Sequence, residues 1–243
     1  MAYLSNLKGI ADRVNKMDAE KNFNLIEIDI EKLIPSTNNF YGIREIEELS
    51  DSIKENGLMH NLVVRRLDND NYEILSGERR YSALKLLNYK KVPCQVKDIN
   101  ELDGEILLIQ ANSKQRELTH IEKMKGIERL KELYKLKKAN GEEIPKGKTR
   151  DLIGKDIGLS GVQVGRYMKV SEKLIEPLKD KLEEGKITLT QADTLSSLKD
   201  IEQKAILDQI DSNSTKITNA EIDILVEGIK QPVENPHDRE LLN

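Results

Sequence analysis

The sequence has no tryptophan, two phenylalanines and a single cysteine among 243 residues. One cysteine, Cys94, excludes an intramolecular disulfide framework and a zinc site built on thiolates. The three histidines, His60, His120 and His237, are scattered, which argues against a two-metal hydrolytic centre. Long apolar runs are also missing. None approaches the ~18 residues that a bilayer span requires, and no signal-peptide core opens the chain. These absences predict a cytoplasmic protein without a transmembrane segment. Hydrophobic residues make up 37% and charged residues 34% of the chain. That apolar share lies below the usual ~45–50% and the charge above the usual ~25%, so thin helical layers with much solvated surface are expected. The length suits one or two domains.

The net charge of −4 conceals a strong asymmetry. Between Lys123 and Lys173 there are 14 Lys and Arg against 7 Asp and Glu, a local charge of +7 that leaves −11 on the remainder. Polarised charge of this kind indicates partners better than the average does. Solvated helix faces and a polyanion-binding surface both account for it.

The hydrophobic period changes along the chain. Residues 1–24 carry one short amphipathic stripe (Leu4, Leu7, Ile10, Val14) and read as a flexible N-terminal segment. A small α/β unit is expected over 25–115. It has a strand at Leu25–Ile30 closed by Pro35, a helix over Ile43–Asn56 ending at Gly57, and two strands around the turn Asp68–Asn71. A helix begins at Gly77, and a strand over Val92–Val96 is interrupted by Pro93. From 116 to 230 the pattern is nearly all helical, with a loop at Asn140–Lys148 and breaks expected at Gly158 and Pro177. A polar tail, 231–243, follows.

The strongest local signal is RDLIGKDIGLSGVQVGRYMK, Arg150–Lys169. Two short helices crossed at a fixed angle need small residues where they touch. Gly154 permits the close approach and Gly158 supplies the left-handed turn residue. Ile153, Ile157, Leu159, Val164 and Tyr167 form the expected shared core, and Ser160 the cap of the second helix. This pattern predicts a helix-turn-helix. On it, Ser160, Gly161, Gln163, Arg166 and Lys169 would face a major groove, with Gln163 suited to adenine and Arg166 to guanine or phosphate. Lys146, Lys148 and Arg150 suit phosphates. An αα-hairpin without DNA is the alternative.

A second signal, Ser76-Gly77-Glu78-Arg79-Arg80, falls at a strand-to-helix junction. A glycine there lets an anion approach the N–H groups of a helix N-terminus, and paired arginines add bidentate donors. A solvated helix start fits the same residues. A third, polar segment, Asn112–Thr119, joins the two halves.

In this order, these elements resemble the ParB family of partition proteins. The resemblance runs from Leu25 to Leu198. It rests on EELSDSIKENGLMHNLVVR between Ile46 and Arg65, GERRYSALKLL at Gly77–Leu87, NSKQREL from Asn112, the helix-turn-helix, and EGKITLTQADTLSSL at Glu184–Leu198. It implies an α+β architecture in which a ParB/sulfiredoxin-like N-terminal domain precedes an all-α helix-turn-helix domain. It also implies a homodimer on palindromic, centromere-like double-stranded DNA, associated with the nucleoid, with a ParA-type ATPase as partner. CTP with Mg²⁺ would close the dimer into a sliding clamp. Carried over by position, Ser76, Gly77, Glu78, Arg79, Arg80, Asn112 and Arg116 would hold the nucleotide, Asn112 the Mg²⁺. Glu78 is the candidate catalytic residue of a slow CTPase.

The sequence departs from the family pattern in three places. Asn39, within Pro35–Tyr41, stands where a Gln-Pro-Arg triplet is usual, which leaves hydrolysis open. Ala111 replaces the acidic residue that commonly precedes the Asn, and the following segment is one residue longer. Little sequence after Asp211 fits a dimerisation domain. The alternatives are a helix-turn-helix transcriptional regulator, a nucleoid-occlusion relative without hydrolysis whose N-terminal stripe lies on a membrane, and a ParB-like nuclease. A sulfiredoxin would need its cysteine beside the phosphate turn, whereas Cys94 follows Pro93 on a strand.

Overall fold

The computed structural model describes residues 25–42, 45–212 and 218–230. The expectations for 1–24 and for the tail 231–243 lie outside the described residues. The chain divides after Asn112 into two compact units.

The first unit is built on a five-stranded mixed sheet of order β1-β5-β3-β4-β2. Its strands are β1 (Leu25–Asp29), β2 (Leu33–Pro35), β3 (Leu62–Arg66), β4 (Tyr72–Ser76) and β5 (Lys91–Lys97). β1 pairs antiparallel with β5 and β3 with β4, while β3–β5 and β2–β4 are parallel. The helices are α1 (Ile46–Asn56), α2 (Glu78–Leu86) and α3 (Glu101–Gln115). Apolar residues at alternate strand positions meet those of the helices, and Ile28, Leu33, Leu62, Val64, Ile74, Ala83, Leu84 and Val92 are all buried in one cluster. Period-two strands and period-3.6 helices share one core because each buries a single face.

Three local expectations change. Pro35 does not close one strand. A 3₁₀ turn at Ile30–Lys32 splits the segment, and Leu33–Pro35 forms a separate edge strand on β4. Pro93 does not interrupt β5 either. It pairs with Glu27, while pairing with β3 begins only at Cys94, so no β3 ladder bond is asked of its missing N–H. Third, Asn112–Gln115, the first half of the polar segment expected between helices, is the last turn of α3.

Cys94 lies in this core with no exposed surface, and burial pushes its thiol up to about 12. A neutral, enclosed thiol is not a nucleophile. Ellman's reagent should therefore leave the native protein unlabelled and titrate one thiol per chain after denaturation. Rapid native labelling would contradict this placement.

The second unit is helical, with α4 (His120–Ala139), α5 (Thr149–Ile157), α6 (Gly161–Lys173), α7 (Glu176–Glu183), α8 (Leu189–Leu195), α9 (Asp200–Ser212) and α10 (Asn219–Lys230). Reciprocal capping boxes start α4 (Thr119 with Glu122), α6 (Ser160 with Gln163) and α8 (Thr188 with Gln191). Each satisfies two N–H groups that a helix start leaves unpaired. Pro177 does not break a helix: it sits in the first turn of α7, where a missing N–H costs nothing. Ile127, Leu130, Leu133, Ile153, Val164, Val170, Leu178 and Leu182 are buried at 1% exposure or less and form the interior of the bundle.

Candidate functional site

In the first unit, β4 delivers the chain to Gly77, whose φ of 102° turns it into α2. That left-handed conformation is open to glycine and strained for other residues. No side chain caps α2, so its first N–H groups are left to solvent or an anion. Around this turn the sequence-predicted residues have distinct partners. Arg80 Nη1 donates to the carbonyls of His60 (2.6 Å) and Asn61 (2.5 Å), pinning the loop before β3. Arg79 is half-exposed and reaches Glu45 Oε2 at 3.1 Å, a surface pair that a phosphate could displace at little cost. Ser76 ends β4 beside the turn.

Glu78 accepts a short hydrogen bond from Asn39 Nδ2. Asn39 Oδ1 in turn accepts from the Tyr41 N–H (3.2 Å). The residue that departs from the family triplet thus touches the candidate catalytic carboxylate. Nearby, Asn38 Nδ2 donates to the buried Glu105 (3.2 Å) and Ser36 Oγ to Glu73 (2.6 Å), which ties this loop to β4 and α3. Asn38 and Glu105 were not predicted from sequence, since nothing local marks a partner 67 positions away.

Asn112 Nδ2 donates to the Leu108 carbonyl one turn back (3.0 Å), which leaves its Oδ1 as the oxygen able to meet a cation. Among the described residues no group of three or more His, Cys, Asp or Glu side chains could hold a metal. A Mg²⁺ served by Asn112 would take most of its ligands from phosphate and water, as this ion commonly does. Arg116 belongs to the second unit, where it pairs with Glu122 (2.5 Å) at the α4 cap.

In the second unit, α5 and α6 are joined by a tight turn where the sequence predicts a helix-turn-helix. Gly158 adopts φ 73°, and the Gly158 and Leu159 N–H groups both close on the Gly154 carbonyl. A Cβ on Gly154 would stand 2.4 Å from the Leu159 oxygen, so only glycine allows this approach. Ile153, Val164 and Tyr167 are buried as expected, while Leu159 is only partly covered. Tyr167 Oη meets His120 Nδ1 at 2.8 Å and anchors α6 to the start of α4; burial pushes the Tyr167 hydroxyl up to about 12 and the His120 imidazole down.

The residues predicted to meet DNA differ in their freedom. Gln163 Oε1 accepts from the Ser160 N–H (3.0 Å), so a bidentate contact to adenine would require the capping box to open. Lys169 Nζ donates to the Asp193 carbonyl (2.6 Å) and to Ser197 Oγ (2.8 Å) and lies 3.0 Å from Asp193 Oδ1. An ammonium has three donors, and these partners use them; Lys169 braces α6 against α8. Arg166 is held more loosely, 3.4 Å from Thr190 Oγ1 and 3.9 Å from Asp193 Oδ2. Gly161 stands at the first position of α6, with Lys148 and Arg150 exposed at the start of α5. Val162, 62% exposed, lies one turn before Arg166 and was missed because an apolar residue reads as core in a pattern search. It would offer a methyl surface to a thymine if α6 lay in a major groove.

Together these units define a class: a mixed-sheet domain with an uncapped glycine turn, followed by a helical domain in which a tight glycine turn joins two short helices. Residues 14–113 match the ParB N-terminal domain family. The chain thus carries a ParB N-terminal domain. It is 27% identical over 220 residues to the nucleoid occlusion protein of Bacillus velezensis, covering 88% of this chain and 73% of that one. It is 32% identical over 188 residues to the nucleoid occlusion protein of Bacillus mycoides, covering 76% of this chain and 60% of the relative. The fold resembles C-terminally truncated chromosome-partitioning protein ParB from Caulobacter crescentus, solved in complex with the centromeric parS site. That match has a TM-score of 0.61 and 22% identity, over 84% of this chain and 99% of that one. A Pnob8-like ParB-N domain aligns at a TM-score of 0.55 and 17% identity, over 91% of this chain and 96% of that one.

Proposed function

We propose that this protein binds a palindromic DNA site as a homodimer through α6, and that CTP with Mg²⁺ at the Gly77 turn switches it into a clamp on that DNA. The observation that carries the DNA reading is the helix-turn-helix closed by Gly154 and Gly158, with Arg166 loosely held on the outward side of α6. The nucleotide reading rests on the uncapped α2 start, its two arginines and the family motif over Gly77–Leu87. CTP would bias the open–closed equilibrium only through its different affinity for the two states. When bound, Mg²⁺ would neutralise phosphate charge. The chain's own part is to present N–H groups at Glu78–Arg80 and to orient the Glu78 carboxylate through Asn39. Slow hydrolysis that resets the clamp is consistent with this placement of Glu78.

Two settings fit this device: partition beside a ParA-type ATPase, and nucleoid occlusion. The names of the relatives favour the second. No helix among the described residues is long and apolar enough to cross a membrane. Stimulation of a ParA-type ATPase by the purified protein would favour the first setting. Binding to anionic vesicles that is lost on deleting residues 1–24 would favour the second.

The test begins with a duplex selected from a randomised pool, followed by calorimetric titration of CTP–Mg²⁺ with that duplex present. No enrichment defeats the DNA reading, and no heat with CTP defeats the nucleotide reading alone. Arg166→Ala should weaken binding to the selected duplex by about 1–3 kcal/mol and to random DNA by much less. Equal losses on both would make Arg166 a phosphate contact.

A further inference from the structure

Helix α4 carries five basic residues between Arg129 and Lys138, and the structure sorts them by partner. Arg129 pairs with Glu132 at 2.8 Å, and the buried Lys137 with Glu142 at 2.8 Å. Lys131, Lys135 and Lys138 are exposed, and no side-chain partner for them occurs among the described residues. Their spacing of four and three puts them on one stripe of the helix. The stripe forms one wall of a groove of about 700 Å³, and Lys148 and Arg150 at the start of α5 form another. Pro145, Leu152 and Met168 give it an apolar floor, and no acidic side chain lines it. Five cations thus line it, and of these Arg150 alone has a carboxylate near it among the described residues, Asp151 at 3.8 Å. Met168 belongs to α6, so the groove borders the helix assigned to base contacts.

We infer that this groove is a second phosphate-binding track, which holds the DNA backbone beside the segment that α6 reads. The inference rests on the DNA-binding function proposed above. Several features favour a continuous polyanion over a small enclosed ligand. The five cations are all exposed, they are spread over two walls rather than focused on a point, and the groove adjoins the α5–α6 pair at the end where a first helix would meet the backbone. Contacts of this kind position a protein without reading sequence. The track therefore predicts sequence-independent affinity with a steep salt dependence.

The test compares the whole protein with Lys131→Gln/Lys135→Gln/Lys138→Gln. Binding to the selected duplex and to a random duplex of equal length is followed across a salt series. Each phosphate contact contributes about 0.9 to the slope of log K against log salt, so the triple variant should lose up to roughly 2.7 units of slope. Its affinity should fall by the same factor on both duplexes, leaving their ratio unchanged. Arg129→Gln, which removes one already-paired cation, should leave the slope as it is. A triple variant that keeps the wild-type slope and a cooperative thermal transition overturns the track while wild-type DNA binding still stands. Loss confined to the selected duplex would also overturn it, because the stripe would then be reading bases. A wild-type protein that binds neither duplex defeats the function and the track together.

Discussion

Gly154→Ala should dismantle the helix-turn-helix. The new methyl would sit 2.4 Å from the Leu159 carbonyl oxygen, a separation that no side-chain rotation relieves because both atoms belong to the backbone frame. The turn must open, and the bonds that the Gly154 carbonyl accepts from Gly158 and Leu159 go with it. Overpacking of this kind costs about 1–3 kcal/mol, and the lost turn bonds place the variant at the upper end. For a unit of this size that is a fall of roughly 10 °C or more in the thermal transition. Binding to the selected duplex should vanish even at temperatures where the chain is still folded, since α6 is no longer held at its angle to α5. Gly165→Ala is the matched control. A Cβ there meets nothing within 4 Å, so the added helix propensity should raise stability by about 0.5–1 kcal/mol. Equal melting temperatures for the two variants would refute the packing argument.

Arg80→Ala should weaken nucleotide binding severely while initial DNA binding survives. Its guanidinium does two things at once. Nη1 ties down the carbonyls of His60 and Asn61, and Nη2 lies 3.0 Å from where a Cβ on Gly77 would be, directly over the turn. Hydrogen bonds to a charged group are worth about 1.5–3 kcal/mol, and truncation leaves two carbonyls without their donor. The Gly77 turn and the loop before β3 would lose their common brace, so CTP affinity should drop by roughly 30-fold or more. Arg80→Lys keeps the charge and loses the planar fork, and it should recover only part of that affinity. DNA affinity without nucleotide should stay within about twofold, because Arg80 belongs to the first unit and α6 to the second. Unchanged CTP affinity in Arg80→Ala would move the phosphate site away from this turn.

The contrast between the two arginines of the box shows how a motif conceals roles. In the sequence, Arg79 and Arg80 are adjacent and equivalent. In the fold, Arg79 reaches the exposed Glu45, and Arg80 is turned back into a loop 20 residues earlier. The same holds in the second unit, where Arg166 and Lys169 lie one turn apart on α6. Lys169 has all its donors engaged by α8 and by Ser197 just beyond it, and Arg166 makes only long contacts.

What could be read without coordinates was whatever short-range physics writes locally. Gly154, Gly158 and Ser160 specify the helix-turn-helix within a dozen residues, because a close approach, a left-handed turn and a capping hydroxyl each demand a residue type at a fixed offset. Gly77 marks the strand-to-helix turn for the same reason. The periods of two and 3.6 separated a sheet unit from a helical one, and the +7 window marked where the chain concentrates its positive charge. Tertiary structure alone decided which partners those residues take. Leu33–Pro35 becomes a strand only because β4 offers a parallel edge, and Asn39 joins Glu78 across 39 positions. Lys131, Lys135 and Lys138 stay unneutralised while Arg129 and Lys137 do not. Charge and hydrogen-bond pairing depend on distance in space, and a sequence records only distance along the chain.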